Sequence, residues 1–342
     1  MHEHAPRSLC SHPLLLGRAV GTDPSSLTDL GPGLYHGFSG GLYENGLNVM
    51  PSDHSAAGLA AGAAVKPVDV EGRPSPGGRV VMLSIGMSNT TQEFCAQQNP
   101  APCTTWSFVG QALADPAVNR TALVLVNGAR GGQAADAWDA ADERNYDSIR
   151  EQNLQPAGLT EAQVQVAWVK LANRQPKVAL PLETADAWQL VEQLGNTVRA
   201  MKQHYPNLRI VYLSSRIYAG YATSVLNPEP YAYESGFAAK WLVQAQIDQV
   251  RGSTVTARAG NLDYRSGAPW ISWGPYLWAD GLNARSDGLT WERSNLQSDG
   301  THPSQSGQQK VGSLLLTFLK NEPSAKSWFL EPRPPRRRAA QK

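Results

Sequence analysis

The sequence predicts an α/β protein, a single-domain α/β/α sandwich in which helices cover both faces of a mostly parallel, doubly wound sheet. Short apolar runs alternate with longer stretches of helical periodicity, and this alternation is typical of βαβ units. The apolar runs are nearly continuous, which indicates strands buried on both faces. A chain of 342 residues is long enough for one such domain.

The elements are expected to follow one another as strand and helix. The predicted strands are 79–86, 121–128, 164–170 and 208–215. The predicted helices are 104–114, 184–204, 234–250 and, as the last one, 308–319. Pro206 ends the second of these helices. Residues 34–78 are rich in Gly, Ala and Pro, and we expect irregular surface structure there, with the core beginning at residue 79.

The two ends of the chain differ from this pattern. Residues 1–30 form a weakly ordered N-terminal segment, 31–321 the domain, and 322–342 a basic, Pro-rich C-terminal tail. The tail carries Arg333, Arg336, Arg337 and Arg338, and we interpret it as solvated instead of as a binding patch. The net charge is +1, so the charge balance does not indicate a nucleic-acid partner. No apolar run is long enough for a membrane span.

Two cysteines lie close together. Cys95 and Cys103 flank a turn-favouring stretch that contains Asn99-Pro100, so we expect a disulfide between them. A disulfide indicates a secreted or periplasmic protein, although no signal peptide is visible; the alternative is two free thiols in a cytoplasmic protein. Their spacing fits no zinc pattern and no histidine is near, so no metal site is predicted.

Three polar segments directly follow predicted strands, where parallel α/β sheets bind ligands. Ser88 follows the first strand on a sharp turn, and the ordinary alternative is a structural turn serine. Gly131 and Gly132 follow the second strand, where backbone N–H groups can form an oxyanion hole or simply a ligand-free loop. Lys170 or Asn173, after the third strand, can donate to an oxyanion or a substrate, unless the lysine is merely solvated.

A fourth segment precedes the last predicted helix. Asp299 and His302 lie three residues apart on an Asp-Gly turn, which can set the carboxylate against imidazole Nδ1. The remaining histidines lie in the N-terminal segment, in the irregular region or at a helix end. Because a serine hydroxyl needs a base to act as a nucleophile, we predict a catalytic triad of Ser88, His302 and Asp299.

These segments resemble the conserved blocks of the SGNH hydrolase superfamily, also called GDSL-like esterases. Gly86-Met87-Ser88-Asn89 is similar to the GQSN variant of sialate O-acetylesterase-like carbohydrate esterases. Gly131-Gly132-Gln133, followed by Trp138, is similar to the GGT…W block, and residues 299–303 match the DxxHP block. The resemblance spans residues 86–319. The third block departs from the family, because Lys170 stands at the glutamine position of its WxQ form and Asn173 follows three residues later.

The resemblance implies a flavodoxin-like sheet and ester hydrolysis through an acyl-serine intermediate, without a metal or an organic cofactor. It implies that Ser88 is the nucleophile and first oxyanion donor, that His302 is the base, and that Asp299 orients it. Gly132, in preference to Gly131, supplies the second oxyanion donor. Lys170 and Asn173 remain alternatives for the third.

The expected substrate is a small-molecule or carbohydrate ester with an acetyl or other short acyl group. Asn89, Arg130, Trp273 and Trp278 are the expected contact residues, and the tryptophans either stack on a sugar ring or pack in the core. The alternatives are a lipase- or thioesterase-type enzyme of the same family and a catalytically impaired carbohydrate-binding protein on the same scaffold. An α/β-hydrolase is disfavoured, because its GxSxG motif is absent around Ser88.

Overall fold

A computed structural model describes residues 24–97 and 102–331. The strands are β1 (Leu34–Tyr35), β2 (Phe38–Ser39), β3 (Val80–Gly86), β4 (Leu123–Asn127), β5 (Val164–Lys170), β6 (Ile210–Leu213) and β7 (Trp270–Trp273). The α-helices are α1 (Leu27–Leu30), α2 (Ser52–Ala64), α3 (Ser88–Phe94), α4 (Phe108–Ala114), α5 (Arg144–Ile149), α6 (Asp186–His204), α7 (Tyr231–Val250), α8 (Gln305–Asn321) and α9 (Lys326–Phe329). Short 3₁₀ turns lie at Glu44–Gly46, Ala135–Ala137, Gln155–Ala157, Glu161–Gln163 and Arg293–Asn295, and a π-helical turn, Arg150–Leu154, continues α5.

Five strands form one parallel sheet in the order β4-β3-β5-β6-β7, and β1 and β2 form a separate antiparallel pair. The chain runs outward from β3 to β4 and then returns past β3 to β5. This reversal opens a crevice beyond the carboxyl ends of β3 and β5, where such sheets bind their ligands. The predicted α/β class and flavodoxin-like strand order are confirmed.

Side chains of the central strand alternate between two apolar layers. Val81, Leu83 and Ile85 of β3 belong to a cluster with residues of α6 and α7. Val80 and Met82 belong to a second cluster with residues of α4, α8 and α9. Successive side chains of a strand point to opposite faces, so this division shows helices on both sides of the sheet. Every residue of β3 is buried, as its continuous apolar run predicts, whereas the edge strand β4 is mostly half-buried.

Residues 34–78 are not irregular throughout, contrary to the prediction. They contain α2, whose buried residues His54, Gly58 and Gly62 are spaced four apart on one face. A side chain at Gly58 would collide with the ring of Trp270. The helix therefore packs through its smallest residues, and it lacks the apolar periodicity by which helices are recognised in a sequence.

The packed structure extends further at both ends than predicted. Leu27, within the segment expected to be weakly ordered, is buried in α1. Trp328 and Phe329, within the predicted tail, are buried in α9. The predictions for residues 1–23 and for the arginine cluster beginning at Arg333 lie outside the described residues.

The expected disulfide between Cys95 and Cys103 is present, with Cα atoms 5.0 Å apart. It closes the loop that follows α3. Of the helices within 24–97 and 102–331, none has both the length and the apolar composition needed to cross a bilayer.

Candidate active site

Ser88 is held at the crevice between β3 and β5. It is the first residue of α3 and follows the end of β3 at Gly86 by two positions. A Cβ added to Gly86 would lie 2.5 Å from the carbonyl oxygen of Lys170, so only glycine allows this close approach to β5. Thr90 Oγ1 donates to the same carbonyl oxygen over 2.8 Å. The start of α3 is thus fixed to the carboxyl end of β5.

Asp299 and His302 lie on the tight loop that leads into α8. Gln297 N donates to the carbonyl oxygen of His302 over 2.8 Å and closes the loop. Gly300 has φ +65°, a conformation that favours glycine. Within the loop, Asp299 Oδ1 accepts the backbone N–H groups of Thr301 at 2.9 Å and His302 at 3.0 Å. The carboxylate therefore has one defined orientation.

The structure brings these two distant segments together. Ser88 Oγ lies 2.7 Å from His302 Nε2, and His302 Nδ1 is hydrogen-bonded to Asp299 Oδ2. Asn89 Nδ2 donates to the carbonyl oxygen of Thr301 over 2.9 Å, which links the helix of the serine to the loop of the histidine. A hydroxyl, an imidazole and a carboxylate in this order are the arrangement that nucleophilic acyl transfer requires.

The Asp299 carboxyl is suited to remain ionised. Burial alone would raise its pKa, but hydrogen bonds from the His302 side chain and from the N–H groups of His302 and Thr301 bring the pKa below its usual value. A carboxylate that stays charged at neutral pH can hold the imidazole in one tautomer and stabilise its protonated form.

Ser88 and His302 line a cavity of about 250 Å³. Gly132 and Asn173 line the same cavity. Gly131 is not among the residues that line the cavity, although a Cβ added to it would be 3.9 Å from Ser88 Cβ. Of the two glycines predicted as oxyanion donors, the structure therefore brings Gly132 to the cavity wall.

Lys170 does not reach this cavity, which corrects its prediction as an oxyanion donor. Its side chain and that of Glu93 are both 0% exposed. Lys170 Nζ lies 2.6 and 2.5 Å from the two carboxylate oxygens of Glu93. Burial lowers the pKa of Lys170 to about 8 and raises that of Glu93, while the mutual attraction of the two groups opposes both shifts. Lys170 is thus an internal counter-charge.

Asn173 is left as the candidate for the third donor. It lines the cavity, and its Nδ2 makes a long hydrogen bond of 3.3 Å to Gln189 Oε1. A weakly held amide at the cavity wall can turn toward a developing negative charge at small cost.

The predicted tryptophan contacts are wrong. Trp273 is 3% exposed and Trp278 1% exposed. The indole N–H of Trp273 donates to the carbonyl oxygen of Leu42 over 2.7 Å, and that of Trp278 to Glu229 Oε1 over 2.8 Å. With their rings in the core and their polar atoms satisfied, neither offers a face to a sugar.

The two other predicted contact residues differ from each other. Asn89 lines the cavity, but its side-chain amide is engaged by Thr301. Arg130 is absent from the cavity wall, and its Nη2 donates to Gln152 Oε1 over 3.0 Å, which corrects its prediction as a contact residue.

Sequence reasoning missed two arginines that line the cavity, Arg174 and Arg216. Arg174 is partly exposed; it forms an ion pair with Asp136 at 3.1 Å and donates to the carbonyl oxygen of Gly132. Arg216 is 1% exposed and comes three residues after the end of β6. A charged residue just past the carboxyl end of a buried strand was the available signal.

Comparison with solved structures finds proteins that are named as esterases or lipases. A carbohydrate esterase family 2 enzyme from Corynascus thermopiles (Myceliophthora fergusii) matches with a TM-score of 0.38, 11% identity, and coverage of 71% of this chain and 66% of that one. A family two carbohydrate esterase from Cellvibrio japonicus has a TM-score of 0.37, 11% identity, and coverage of 75% and 64%. A putative GDSL-like lipase from Parabacteroides merdae has a TM-score of 0.32, 15% identity, and coverage of 70% of this chain and 94% of that one.

The chain spans about two thirds of the length of the two carbohydrate esterases. No protein-family model and no curated protein matches it. Among the residues within 24–97 and 102–331, no group of three or more His, Cys, Asp or Glu side chains is placed to hold a metal ion.

Proposed function

We propose that this chain is a serine esterase that hydrolyses acetyl or other short-chain acyl esters through an acyl-serine intermediate. One observation carries the proposal. Ser88 Oγ lies 2.7 Å from His302 Nε2, Asp299 is hydrogen-bonded to Nδ1 of the same imidazole, and Ser88 and His302 line a cavity. We propose further that residues 24–331 act as one catalytic domain.

In the first half-reaction, His302 Nε2 takes the proton of Ser88 Oγ as that oxygen attacks the ester carbonyl carbon. The imidazolium that forms is stabilised by Asp299. The tetrahedral intermediate then collapses: His302 gives the proton to the leaving alcohol oxygen, and the acyl group stays on Ser88. In the second half-reaction, His302 takes a proton from water as the water oxygen attacks the acyl carbon. The second tetrahedral intermediate collapses, His302 returns that proton to Ser88 Oγ, and the carboxylic acid leaves.

The negative charge on the carbonyl oxygen needs donors that are in place beforehand. The first N–H groups of a helix have no intrahelical partner, so the N–H of Ser88 at the start of α3 is one such donor. We assign the N–H of Gly132 as the second and Asn173 Nδ2 as the third, because both residues line the cavity beside the serine.

Three features bear on the substrate. A cavity of about 250 Å³ is smaller than the pockets of roughly 300–1,000 Å³ that hold drug-sized ligands, which favours a short acyl group over a lipid chain. The motif resemblance implies esters of carbohydrates as the substrate class. The disulfide between Cys95 and Cys103 supports a secreted or periplasmic location.

The decisive experiment is covalent labelling with a fluorophosphonate, with the modified peptide identified by mass spectrometry. We expect one adduct on Ser88 in the wild-type protein and none in Ser88→Ala. Ser224→Ala is the matched control, since Ser224 is a neighbouring serine whose Oγ contacts Thr301 Oγ1 at 3.4 Å. It should label like the wild type. Labelling that persists in Ser88→Ala, or that maps to another serine, contradicts the proposal.

A further inference from the structure

Arg216 is a buried cation at the candidate active site. It is 1% exposed and lines the same cavity as Ser88 and His302. Its backbone N–H donates to Ser235 Oγ over 3.2 Å, which fixes the main chain. Two of its guanidinium nitrogens, Nε and Nη2, are buried without a hydrogen-bond partner among the described residues.

The carboxylates near Arg216 have other partners. Glu93, Glu229 and Asp299 are the acidic groups whose charges influence it. Glu93 holds Lys170 with both of its oxygens. Asp299 is bound by His302.

Glu229 is engaged in the same way. Its Oε1 accepts the backbone N–H of Ala219 at 2.9 Å and the indole N–H of Trp278 at 2.8 Å. Its Oε2 accepts the backbone N–H of Tyr233 at 2.9 Å. None of the three carboxylates thus forms an ion pair with Arg216 in the described part of the chain.

A buried guanidinium without a partner is costly. Burial lowers the pKa of Arg216, but an arginine side chain does not lose its proton in proteins. A buried charge is normally paired and hydrogen-bonded, because desolvation is otherwise not compensated. Nε and Nη2 of Arg216 therefore lack the acceptor that their burial calls for. Arg216 lines the cavity, so a ligand bound there is the candidate source of that acceptor.

Arg174, the other arginine of the cavity, does not need such a ligand. It already forms an ion pair with Asp136 and donates to the carbonyl oxygen of Gly132. Of the two arginines that line the cavity, only Arg216 has buried guanidinium nitrogens without a partner among the described residues.

We propose that Arg216 binds an anionic group, most simply a carboxylate, carried by the ester substrate, so that acidic esters are preferred to neutral esters of the same shape. The planar guanidinium suits a carboxylate because it can offer two parallel N–H donors. This inference rests on the proposed ester hydrolysis, since it assigns the substrate class of that site.

The kinetic test uses pairs of esters that differ only in charge. One pair varies the alcohol part, 4-acetoxybenzoate against 4-acetoxybenzamide. The other varies the acyl part, 4-nitrophenyl hemisuccinate against 4-nitrophenyl succinamate. In at least one pair we expect kcat/KM for the acid to exceed that for the amide by on the order of 10- to 100-fold, the size of a charge-assisted hydrogen-bonded contact.

Arg216→Met should bring this ratio close to one. Arg130→Met is the matched control, because it removes the same charge from an arginine that does not line the cavity, and it should keep the wild-type ratio. Arg216→Lys keeps the charge without the planar fork and should give an intermediate ratio. Ratios near one for both pairs in the wild type, or a ratio that Arg216→Met leaves unchanged, overturn the inference.

A binding test separates this inference from the proposed function. Calorimetry should show that Ser88→Ala binds benzoate and that it binds benzamide at least tenfold more weakly. Adding Arg216→Met should remove this difference. Inorganic sulfate and methylphosphonate serve as competing anions, and stronger binding of either than of benzoate overturns the choice of a carboxylate.

Each failure has its own signature. If no ester is cleaved and Ser88 is not labelled, while Arg216-dependent benzoate binding persists, the esterase proposal fails and the anion site stands. If neutral and acidic esters are cleaved alike and benzoate does not bind, the esterase stands and the anion site fails. Should Arg216→Met not fold, Arg216→Lys and the wild-type preference of benzoate over benzamide decide the question.

Discussion

Replacing Lys170 by methionine tests whether this residue serves the fold or the reaction. Lys170 and Glu93 form an ion pair in which both side chains are 0% exposed. The variant keeps much of the side-chain volume but leaves the carboxylate without its cation. Removing one partner of a buried pair costs about 3–5 kcal/mol, because the other charge remains desolvated. We expect the free energy of unfolding to fall by that amount.

Removing both charges should recover much of the loss. A buried ion pair replaced by apolar residues of similar volume is often neutral or even stabilising. Lys170→Met combined with Glu93→Leu is therefore expected to be at least about 2 kcal/mol more stable than Lys170→Met alone. Urea unfolding followed by circular dichroism measures all of these variants, with the slope of each transition checked against the wild type.

Activity per folded molecule completes the comparison. Without urea, and at a temperature where the variant is folded, Lys170→Met should hydrolyse 4-nitrophenyl acetate with a kcat within a few-fold of that of the wild type. Asn173→Ala should behave oppositely, losing about 10²–10³-fold in kcat, the cost of one oxyanion donor, with little change in stability. A Lys170→Met variant as stable as the wild type but a hundredfold slower would refute our assignment of an internal counter-charge.

Three further predictions concern the triad, the disulfide and a buried carboxyl. His302→Ala should lower turnover by about four to six orders of magnitude with less than about 1 kcal/mol change in stability. Replacing Cys95 and Cys103 by serine should lower the free energy of unfolding by about 2–3 kcal/mol, since the bridge closes a loop with a separation of 8 residues. Burial and the nearby Glu229 charge raise the pKa of Glu234 to about 7, although hydrogen bonds from Leu180 and Tyr35 oppose the shift. The folded state therefore holds this proton more tightly than the unfolded state, and the resulting stability is present at low pH and lost as pH rises through 7. In Glu234→Gln the fall in stability between pH 5 and 7.5 should be smaller by about 1–2 kcal/mol, allowing for screening.

Each of these has a clear contrary result. A large loss of thermal stability in His302→Ala would indicate a structural histidine. If the serine variants and the reduced wild type have the same urea midpoint as the oxidised wild type, the disulfide does not stabilise the fold. Parallel stability profiles of Glu234→Gln and the wild type across this pH range would mean that Glu234 titrates as an exposed carboxyl does.

The sequence allowed β3, β4, β5 and β6 to be predicted because each is a continuous apolar run. In the central strands β3, β5 and β6 this run reflects burial on both faces. Val164–Lys170 was predicted with its observed bounds. Strand β7 was missed, since its four residues, Trp270–Trp273, have the composition of an aromatic binding cluster. Helix α2 was missed for the opposite reason: its inward face is formed by glycine and histidine, which carry no apolar signal.

For the site, spacing along the chain identified the segments but not the directions of their side chains. Ser88, Asp299 and His302 were selected because their chemistry is interdependent, and the structure brings them together. Lys170 belongs to a selected segment, yet its side chain points into the core and not the cavity. Arg216 was overlooked although it directly follows the predicted strand 208–215. That its nearby carboxylates are engaged elsewhere is visible only in the structure.

The hydrogen bond from Asn89 to Thr301 joins residues that are 212 positions apart. A nascent chain therefore cannot assemble the candidate site until Thr301 has left the ribosome, however early its first strands pair. During refolding, such a distant contact is slow to form because of the entropy of closing the intervening chain. Return of turnover would thus lag behind any optical signal of helix formation.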